Sequence, residues 1–436
     1  MKTLRIRIPA ALVALALGLS VNAHAAKNEW DRIDLEGPIE VTLSDGRTRT
    51  LEPSCSGGPK PVLNENGDPT GAIEPANTDF FFFVQRGNPN RLLVGLDGGG
   101  ACWDAVTCIG SPLQEELGVL PPPLDQLIED STYTQELDET AEGLAQAGGI
   151  FDARNPDNPF ANYTKVFIPY CSGDIHWGSK DTEYTLGPIT WTIRHRGSDN
   201  LLAVVDWLKK NGREAYNIDF DRTRDLMVTG ASAGGYGATF AFPYIAELTP
   251  RARLNLVSDA AIGVTTTSFF KTAIYDPATG TANWGTEKNL PPVLDEAALA
   301  ARADSGNPSA LSRDVFGYTA AFYPDAKLAS LTTNLDLVQV GFYALARLAD
   351  DPTVPSEQIA LEWYTTMATE TFLTSQFIPN YRYYIEDGTF HTFIGSDVRT
   401  YGPGAEGVPL AEWLRAMTKP GKRTWENLDD GPPSGP

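Results

Sequence analysis

A Gly-x-Ser-x-Gly pattern centred on Ser232 constrains the fold more than any other feature of this 436-residue chain. Residues 226–228 form an apolar run before it, and residues 236–248 have the pattern of a helix. A strand, a sharp turn and a helix in this order are typical of a nucleophile elbow, in which a strained serine presents its hydroxyl outward. The flanking glycines keep side chains away from the crossing of strand and helix. We therefore predict that Ser232 is a nucleophile and that Ala233 turns its backbone N–H toward charge developing beside it.

The first 25 residues have the pattern of a secretory signal peptide. Basic residues at positions 2, 5 and 7 precede an apolar run at residues 10–21 and a small-residue cleavage pattern at residues 23–25. The run is too short for a stable membrane span, and no later stretch approaches the length of one. We predict an exported protein, secreted or periplasmic, without a membrane span.

Charge limits the classes of partner. The chain has 56 acidic and 34 basic residues and a formal net charge of −22 at pH 7. Such acidity argues against nucleic acid and against anionic membranes as partners. An acidic surface that keeps the protein in solution explains the charge without any binding role.

The sequence indicates one large domain. It contains no internal repeat and no Gly/Ser linker, so we predict a single domain at residues 26–425. Residues 263–325 are rich in Pro, Gly, Thr and Asn and are expected to form a lid-like insertion on the substrate side. We expect residues 121–123, three prolines, to lie in a loop, and residues 426–436 to form a disordered tail.

Four cysteines, an even number, are compatible with two disulfides in an exported chain. Three pairings are possible, and pairing the neighbours Cys102 and Cys108 leaves Cys55 with Cys171. A zinc site is the alternative, but the chain has no CxxC motif and its histidines are scattered. We expect neither a metal nor a cofactor.

Strand patterns alternate with helical patterns along the chain, which indicates a mostly parallel sheet flanked by helices. One helix is predicted at residues 198–211, ending at Gly212. The glycine run Gly98–Gly100 directly follows a strand pattern and offers unobstructed backbone N–H groups, as an oxyanion hole requires. The strands are expected at residues 33–43, 79–85, 91–97, 163–170, 226–228, 254–258, 327–332 and 381–386.

A serine nucleophile needs a histidine base and an acid that orients it. In the order serine, acid, histidine, His391 is the one histidine that follows Ser232, and it comes just after the last predicted strand. His176 and His195 precede the serine and are expected to be structural or to contact the substrate. Asp336 follows the strand at the usual acid position. We prefer Asp336 over Asp259, which is expected to be a buried hydrogen-bonding residue.

Several short blocks resemble the pectin acetylesterase family when taken together. They are residues 96–102, 168–174, 230–235, 258–260, 336–339 and 388–392, and they occur in the family's order. The resemblance implies an α/β-hydrolase esterase with Ser232, Asp336 and His391 as its triad. It also implies oxyanion donors at Gly99, Gly100 and Ala233, and it supports the pairings Cys55 with Cys171 and Cys102 with Cys108. The chain departs from the family in its glycine-rich loop, where related proteins carry a tryptophan and this sequence has Gly100, with Trp103 after the cysteine.

The sequence therefore predicts an exported serine carboxylesterase. The expected substrate is a small-molecule or carbohydrate ester from which a short acyl group, most plausibly acetyl, is removed. One alternative is an esterase or depolymerase acting on longer acyl chains or polyesters. Another is a catalytically silent binding protein on a hydrolase fold, against which the intact serine, acid and histidine argue.

Overall fold

The computed structural model describes residues 29–43, 46–114, 132–137, 148–419 and 424–433. The predicted signal peptide at residues 1–25 and the three prolines at residues 121–123 lie outside these ranges. The described strands are β1 (Trp30–Leu35), β2 (Ile39–Thr42), β3 (Thr48–Leu51), β4 (Pro59–Leu63), β5 (Pro69–Pro75), β6 (Phe80–Gln85), β7 (Asn88–Leu96), β8 (Tyr163–Ile168), β9 (Lys180–Leu186), β10 (Ile189–His195), β11 (Asp225–Ala231), β12 (Arg253–Asp259), β13 (Lys327–Thr333), β14 (Tyr381–Glu386) and β15 (Leu428–Asp429).

The helices begin after the tenth strand. Those of five or more α-helical residues are α1 (Gly197–Tyr216), α2 (Ala233–Leu248), α3 (Glu296–Asp304), α4 (Leu311–Phe322), α5 (Leu337–Asp350), α6 (Ser356–Phe377), α7 (Asp397–Tyr401) and α8 (Leu410–Thr418). Shorter helical turns lie at Val106–Gly110, Gly149–Phe151, Phe220–Arg222, Thr267–Phe269, Phe270–Ile274, Thr286–Asn289, Pro308–Ala310 and Ala405–Gly407. Among the described helices, none combines the length and the apolar character that crossing a membrane requires.

In the described part of the chain, nine strands form one sheet in the order β1-β6-β8-β7-β11-β12-β13-β14-β15. From β8 to β15 in this order every neighbouring pair is parallel, whereas β6 is antiparallel to both β8 and β1. Helix α2 packs on β7, β11 and β12, and α6 packs on β14. The prediction of an α/β fold with a mostly parallel sheet flanked by helices is confirmed. Three antiparallel hairpins, β2–β3, β4–β5 and β9–β10, lie outside this sheet.

The carboxyl ends of the parallel strands deliver the predicted functional residues to one edge of the sheet. The glycine run follows β7, Ser232 follows β11, and Asp259 is the last residue of β12. Asp336 and His391 follow β13 and β14. Ligands in open α/β sheets bind at this edge because the loops there converge.

Strand β6 shows how thoroughly the middle of the sheet is covered. Its four consecutive phenylalanines, Phe80–Phe83, are each at most 2% exposed. Successive side chains of a strand point to opposite faces, so both faces of the sheet are buried here. Phe82 meets Trp207 of α1 edge to face at 5.4 Å between ring centroids, and the guanidinium of Arg32 lies 3.6 Å from the ring centre of Phe81.

Residues 424–433 do not form the disordered tail expected for residues 426–436. Leu428 and Asp429 form β15, which pairs in parallel with Tyr384 and Ile385 of β14 and closes one edge of the sheet. The prediction was wrong for these residues because a two-residue strand between Gly- and Pro-rich stretches has no periodicity to detect. Its backbone hydrogen bonds to β14 form regardless of its side chains.

The segment 263–325, expected as an irregular lid, is largely helical. It contains α3, α4 and four of the short helical turns, and it contributes no strand to the main sheet. Asp295 caps α3 by accepting the N–H of Ala298 at 2.8 Å, and Thr266 caps the turn after it by accepting the N–H of Phe269. Such caps satisfy backbone donors that the first turn of a helix leaves free.

Two disulfides are present, Cys55–Cys171 and Cys102–Cys108, and the described residues contain no free cysteine. The first connects residues 116 positions apart and joins the start of the domain to the loop after β8. The second spans six positions next to the glycine run.

Removing the two disulfides separately should cost different amounts of stability. In the chain-entropy model, the Cys55→Ser, Cys171→Ser variant loses about 5 kcal/mol of unfolding free energy, and the Cys102→Ser, Cys108→Ser variant loses about 2 kcal/mol. The difference arises because the longer loop restricts the unfolded chain more. Denaturant unfolding of both variants beside the wild type measures it. Equal losses, or a larger loss for the short loop, would contradict this account.

Candidate active site

Ser232 occupies a strained position between β11 and α2. Its backbone has φ 56° and ψ −125°, in a region that side chains other than hydrogen rarely adopt. A Cβ atom on Gly230 or Gly234 would overlap the carbonyl oxygens of Gly234 and Leu96 respectively, so the tight crossing requires glycine at both positions. The Ser232 N–H donates to the carbonyl oxygen of Asp259 at 2.8 Å, which fixes the turn to the neighbouring strand.

The glycine run after β7 is held in place by backbone hydrogen bonds. The Thr134 N–H donates to the Gly99 carbonyl at 2.8 Å, and the Ala101 N–H donates to the Thr132 carbonyl at 2.9 Å. Gly100 has φ 73°, and a Cβ atom there would overlap the Thr132 carbonyl oxygen. Glycine is therefore needed at Gly100 for both its conformation and its close approach to a neighbouring chain segment.

The predicted oxyanion donors differ in their access to the pocket beside Ser232. Gly100 and Ala233 line that pocket, whereas Gly99 does not. Among the described residues, the N–H groups of Gly100 and Ala233 have no hydrogen-bond acceptor. Two free donors beside a serine hydroxyl suit the stabilisation of negative charge on a reacting carbonyl oxygen.

Asp336 is fully buried and its carboxylate is well supplied with donors. As the N-cap of α5 it accepts the N–H groups of Val338 and Gln339, each at 3.0 Å, and Gln339 Nε2 donates to it at 2.9 Å. His391 Nδ1 lies 2.8 Å from its Oδ2 and 3.0 Å from its Oδ1. A buried carboxylate with four donors remains an acceptor, so it can hold the imidazole in one orientation.

His391 connects Asp336 to the pocket that Ser232 lines. With Nδ1–H donating to the carboxylate, Nε2 carries the lone pair and is the atom that can accept a proton. Nε2 is buried and has no hydrogen-bond partner in the described part of the chain, Ser232 Oγ included. Hydrogen bonds between a nucleophile and its base are often long without substrate and shorten when substrate binds.

Asp259, the second candidate acid, does not contact the imidazole but holds the loop that follows it. Its Oδ2 accepts the N–H groups of Phe393 at 2.7 Å and Ile394 at 2.9 Å. Its Oδ1 is buried and unpartnered among the described residues. Burial raises the pKa of the Asp259 carboxyl to about 7.

The two earlier histidines lie in the interior. His176 Nε2 is 3.0 Å from the Asp97 carbonyl oxygen, at the base of the glycine run, and its ring packs on Tyr170. His195 contacts the Ser172 carbonyl through Nδ1 and the Tyr184 hydroxyl through Nε2. Burial lowers the pKa of His176 to about 4 and that of His195 to about 3, so both are neutral near pH 7. Sulfur atoms of Cys102 and Cys108 lie near His195 but are joined in a disulfide and offer no thiolate to a metal.

Next to Ser232 lies a pocket with mostly aromatic and aliphatic walls, which the sequence did not predict. It encloses about 880 Å³ of space, its mouth included. Trp103 lies between Phe269 of the insertion and Phe342 of α5, with ring centroids at 4.9 and 6.5 Å. The other apolar side chains lining it are Ile175, Trp177, Tyr236, Val264, Phe270, Ile274, Leu311, Val338 and Trp363.

These walls come from four separate parts of the chain, which is why no local motif revealed them. Trp103 belongs to the segment after the glycine run, Phe269 to the insertion, and Phe342 and Trp363 to α5 and α6. The aromatic pair at residues 269–270 within a Pro- and Gly-rich segment was the one local signal. An apolar pocket with a few polar groups at one end is the usual form of a small-ligand site.

The pKa of Asp259 leads to a prediction about stability and pH. A carboxyl group whose pKa is raised on folding, here from about 4 to about 7, binds its proton more tightly in the folded state. Its contribution to stability is therefore complete below pH 4 and is lost as the pH rises toward 7. The Asp259→Asn variant cannot ionise there, so its unfolding free energy relative to the wild type should rise by up to about 1.4 kcal/mol per pH unit across this window.

Denaturant unfolding between pH 4 and 8 measures this difference, with Asp304→Asn, at an exposed side chain, as the control. The control should show no such slope. A difference between wild type and Asp259→Asn that stays constant with pH would mean that Asp259 is ionised throughout.

Comparison with known proteins agrees with this architecture. The family model described as Pectinacetylesterase matches residues 80–299, which include the glycine run and Ser232 and end before Asp336 and His391. The chain is 38% identical over 93 residues to the palmitoleoyl-protein carboxylesterase NOTUM of Schmidtea mediterranea, covering 21% of this chain and 15% of that protein. It is 25% identical over 169 residues to the palmitoleoyl-protein carboxylesterase notum2 of Xenopus laevis, covering 38% of this chain and 29% of that protein. Since the family model matches half of the chain, the protein belongs to the pectinacetylesterase family.

Proposed function

We propose that this protein is a serine carboxylesterase that uses Ser232, His391 and Asp336. The observation that carries the proposal is the 2.8 Å contact of His391 Nδ1 with the buried Asp336 carboxylate, which leaves Nε2 available beside the pocket that Ser232 lines. Family membership and the strained φ of Ser232 support the same assignment. The alternative of a silent binding protein does not explain why a strained serine is maintained.

The proposed reaction has two stages. Ser232 Oγ attacks the ester carbonyl carbon while its proton passes to His391 Nε2. The bond to the alcohol oxygen then breaks, and His391 returns the proton to the departing alcohol. In the second stage His391 removes a proton from water, the water oxygen attacks the acyl-enzyme, and Ser232 leaves with that proton as the carboxylic acid is released.

The oxyanion formed in each stage requires donors on its own side of the serine. The free N–H groups of Gly100 and Ala233 supply two, and the N-terminal end of α2 adds its partial positive charge. We keep Gly99 as a third candidate donor from the family resemblance. Its exclusion from the pocket lining favours the other two.

The walls of the pocket favour an acyl group larger than acetyl. An acetyl group would leave most of a space of about 880 Å³ unfilled, next to aromatic rings. Each buried CH₂ contributes about 0.8 kcal/mol to binding in such surroundings. The relatives are named for hydrolysis of a palmitoleoyl ester on protein, which agrees with an apolar acyl group. We therefore prefer the longer-acyl alternative over deacetylation of a carbohydrate, and leave the alcohol partner unassigned.

We further propose that the protein functions outside the cytoplasm. The two disulfides persist in oxidising compartments and are rare in reducing ones. The signal-peptide pattern at residues 1–25, outside the described residues, is consistent with such a location.

Substitutions in the proposed triad test the mechanism. Ser232→Ala should lower kcat for ester hydrolysis by about 10⁴ to 10⁶-fold without unfolding the protein. Asp336→Asn should lower it by about 10⁴-fold at neutral pH because the imidazole is then presented in the wrong tautomer. Turnover of an aryl ester and labelling by a fluorophosphonate probe measure both effects, with melting temperature recorded in parallel. An Asp336→Asn variant that stays active while Asp259→Asn loses activity at an unchanged melting temperature would move the acid to Asp259.

A panel of p-nitrophenyl esters from acetate to palmitate tests the acyl group. We expect kcat/KM to rise with chain length beyond acetate until the pocket is filled. Trp103→Ala enlarges the pocket and should move the optimum to a longer chain. Because a shift of optimum compares substrates on one variant, any loss of folded protein affects all of them equally. A wild-type optimum at acetate would contradict the preference and restore the short-acyl alternative.

A further inference from the structure

Asn334 connects three segments of the chain at the carboxyl edge of the sheet. It is fully buried, two residues before Asp336. Its Nδ2 donates to the carboxylate of Asp387 at 2.8 Å and to the carbonyl oxygen of Gly431 at 3.1 Å, and its Oδ1 accepts the N–H of Gly388 at 3.1 Å. Both amide hydrogens and the oxygen are thus used, which is the full capacity of an ordered side-chain amide in this setting.

The strap, defined as residues 424–433, supplies one of these three segments. Besides pairing with β14 through β15, it contacts the start of the histidine loop through Asp430. The Asp430 carboxylate accepts the N–H of Asp387 at 2.9 Å and that of Glu406 at 2.7 Å, and the Asp430 N–H donates to the Ile385 carbonyl at 3.1 Å. The strap is therefore bonded on both sides of the point where β14 ends.

The loop that carries His391 also contacts the turn that carries Asp336. The N–H of Leu335 donates to the Gly388 carbonyl, and the N–H of Leu337 donates to that of Thr389, each at 3.2 Å. The hydroxyl of Thr333 donates to the Phe390 carbonyl at 2.8 Å. Two of these three bonds are longer than the usual 2.9–3.0 Å for N–H donors, so the side chain of Asn334 is a major part of the connection.

We propose that Asn334 is a positioning residue, through which the strap holds residues 387–391 where His391 Nδ1 meets the Asp336 carboxylate. The inference rests on the proposed serine carboxylesterase function. Removing the Asn334 amide takes a donor from Asp387 and Gly431 and an acceptor from Gly388 at once. A buried N–H without its acceptor is unfavourable, so the loop shifts to find another partner. A displacement of about 1 Å in a proton-accepting group can lower a rate by about 10²-fold.

The first experiment compares Asn334→Ala with a matched control, Asn255→Ala. Asn255 lies near the amino end of β12, is also buried, and likewise donates through Nδ2 to two backbone carbonyls, those of Leu226 and Arg253. Both substitutions remove a buried amide, but only the first lies beside the proposed triad. In Asn334→Ala, kcat should fall by about 10²-fold with KM nearly unchanged, because the pocket walls stay in place. In Asn255→Ala the melting temperature should fall while kcat stays within about threefold of wild type.

A second variant leaves Asn334 intact and ends the chain after Asp429. It removes Asp430 and the Gly431 carbonyl but keeps β15. We expect kcat to fall in the same direction as in Asn334→Ala. This variant keeps the proposal testable if Asn334→Ala does not fold.

A direct measurement of position does not depend on turnover. The proton between His391 Nδ1 and Asp336 should give a downfield ¹H resonance in the wild type, assigned by its loss in His391→Gln. It should broaden or vanish in Asn334→Ala and in the shortened chain, and persist in Asn255→Ala. An unchanged resonance in both the first two variants would overturn the proposal, as would equal losses of kcat in Asn334→Ala and Asn255→Ala.

The same measurements separate this proposal from the proposed function. If the wild type hydrolyses no ester, or if Ser232→Ala hydrolyses esters as well as the wild type, the function is wrong. The resonance then still reports whether Asn334 and the strap position His391.

Discussion

The double role of Asp259 is the interaction on which the geometry of the site most depends. Its carbonyl oxygen accepts the N–H of Ser232, and its carboxylate accepts the N–H groups of Phe393 and Ile394. One residue at the end of β12 thus fixes the serine turn on one side and the loop after His391 on the other. The separation of serine and imidazole is determined by a single, fully buried group, so local motion on one side is opposed by contacts on the other.

The environments of Asp259 and Asp336 explain how two buried acids one strand apart acquire different chemistry. Asp336 receives donors at both oxygens, including the imidazole. Asp259 has a buried oxygen without a partner among the described residues, and burial raises its pKa to about 7. The pair therefore divides into an acid suited to remain an acceptor and one that carries its proton over much of the range below neutrality. The number of donors, rather than depth of burial, distinguishes them.

Much of the fold could be predicted because local patterns specified it. The strand–turn–helix around Ser232 and the alternation of strands with helices follow from composition and spacing, and the sheet order places the predicted residues on one edge. The helix predicted to end at Gly212 continues to Tyr216, and Asn217 takes the left-handed conformation that ends it, because packing outweighed the low helix propensity of one glycine. The pocket walls, β15 and the contacts of Asn334 could not be predicted, since each joins segments far apart in sequence.

The position of β15 in the sheet has a consequence for the time at which the molecule becomes competent. Strands β11 to β14 can assemble before residues 424–433 are available, and the turn at Ser232 is complete once β12 has joined β11. Under the proposed role of the strap, the histidine loop acquires its final position only when this last segment docks. Esterase activity would then arise in one late step of maturation. A partly synthesised or partly exported chain would carry a formed serine turn yet leave the esters of its own cell intact.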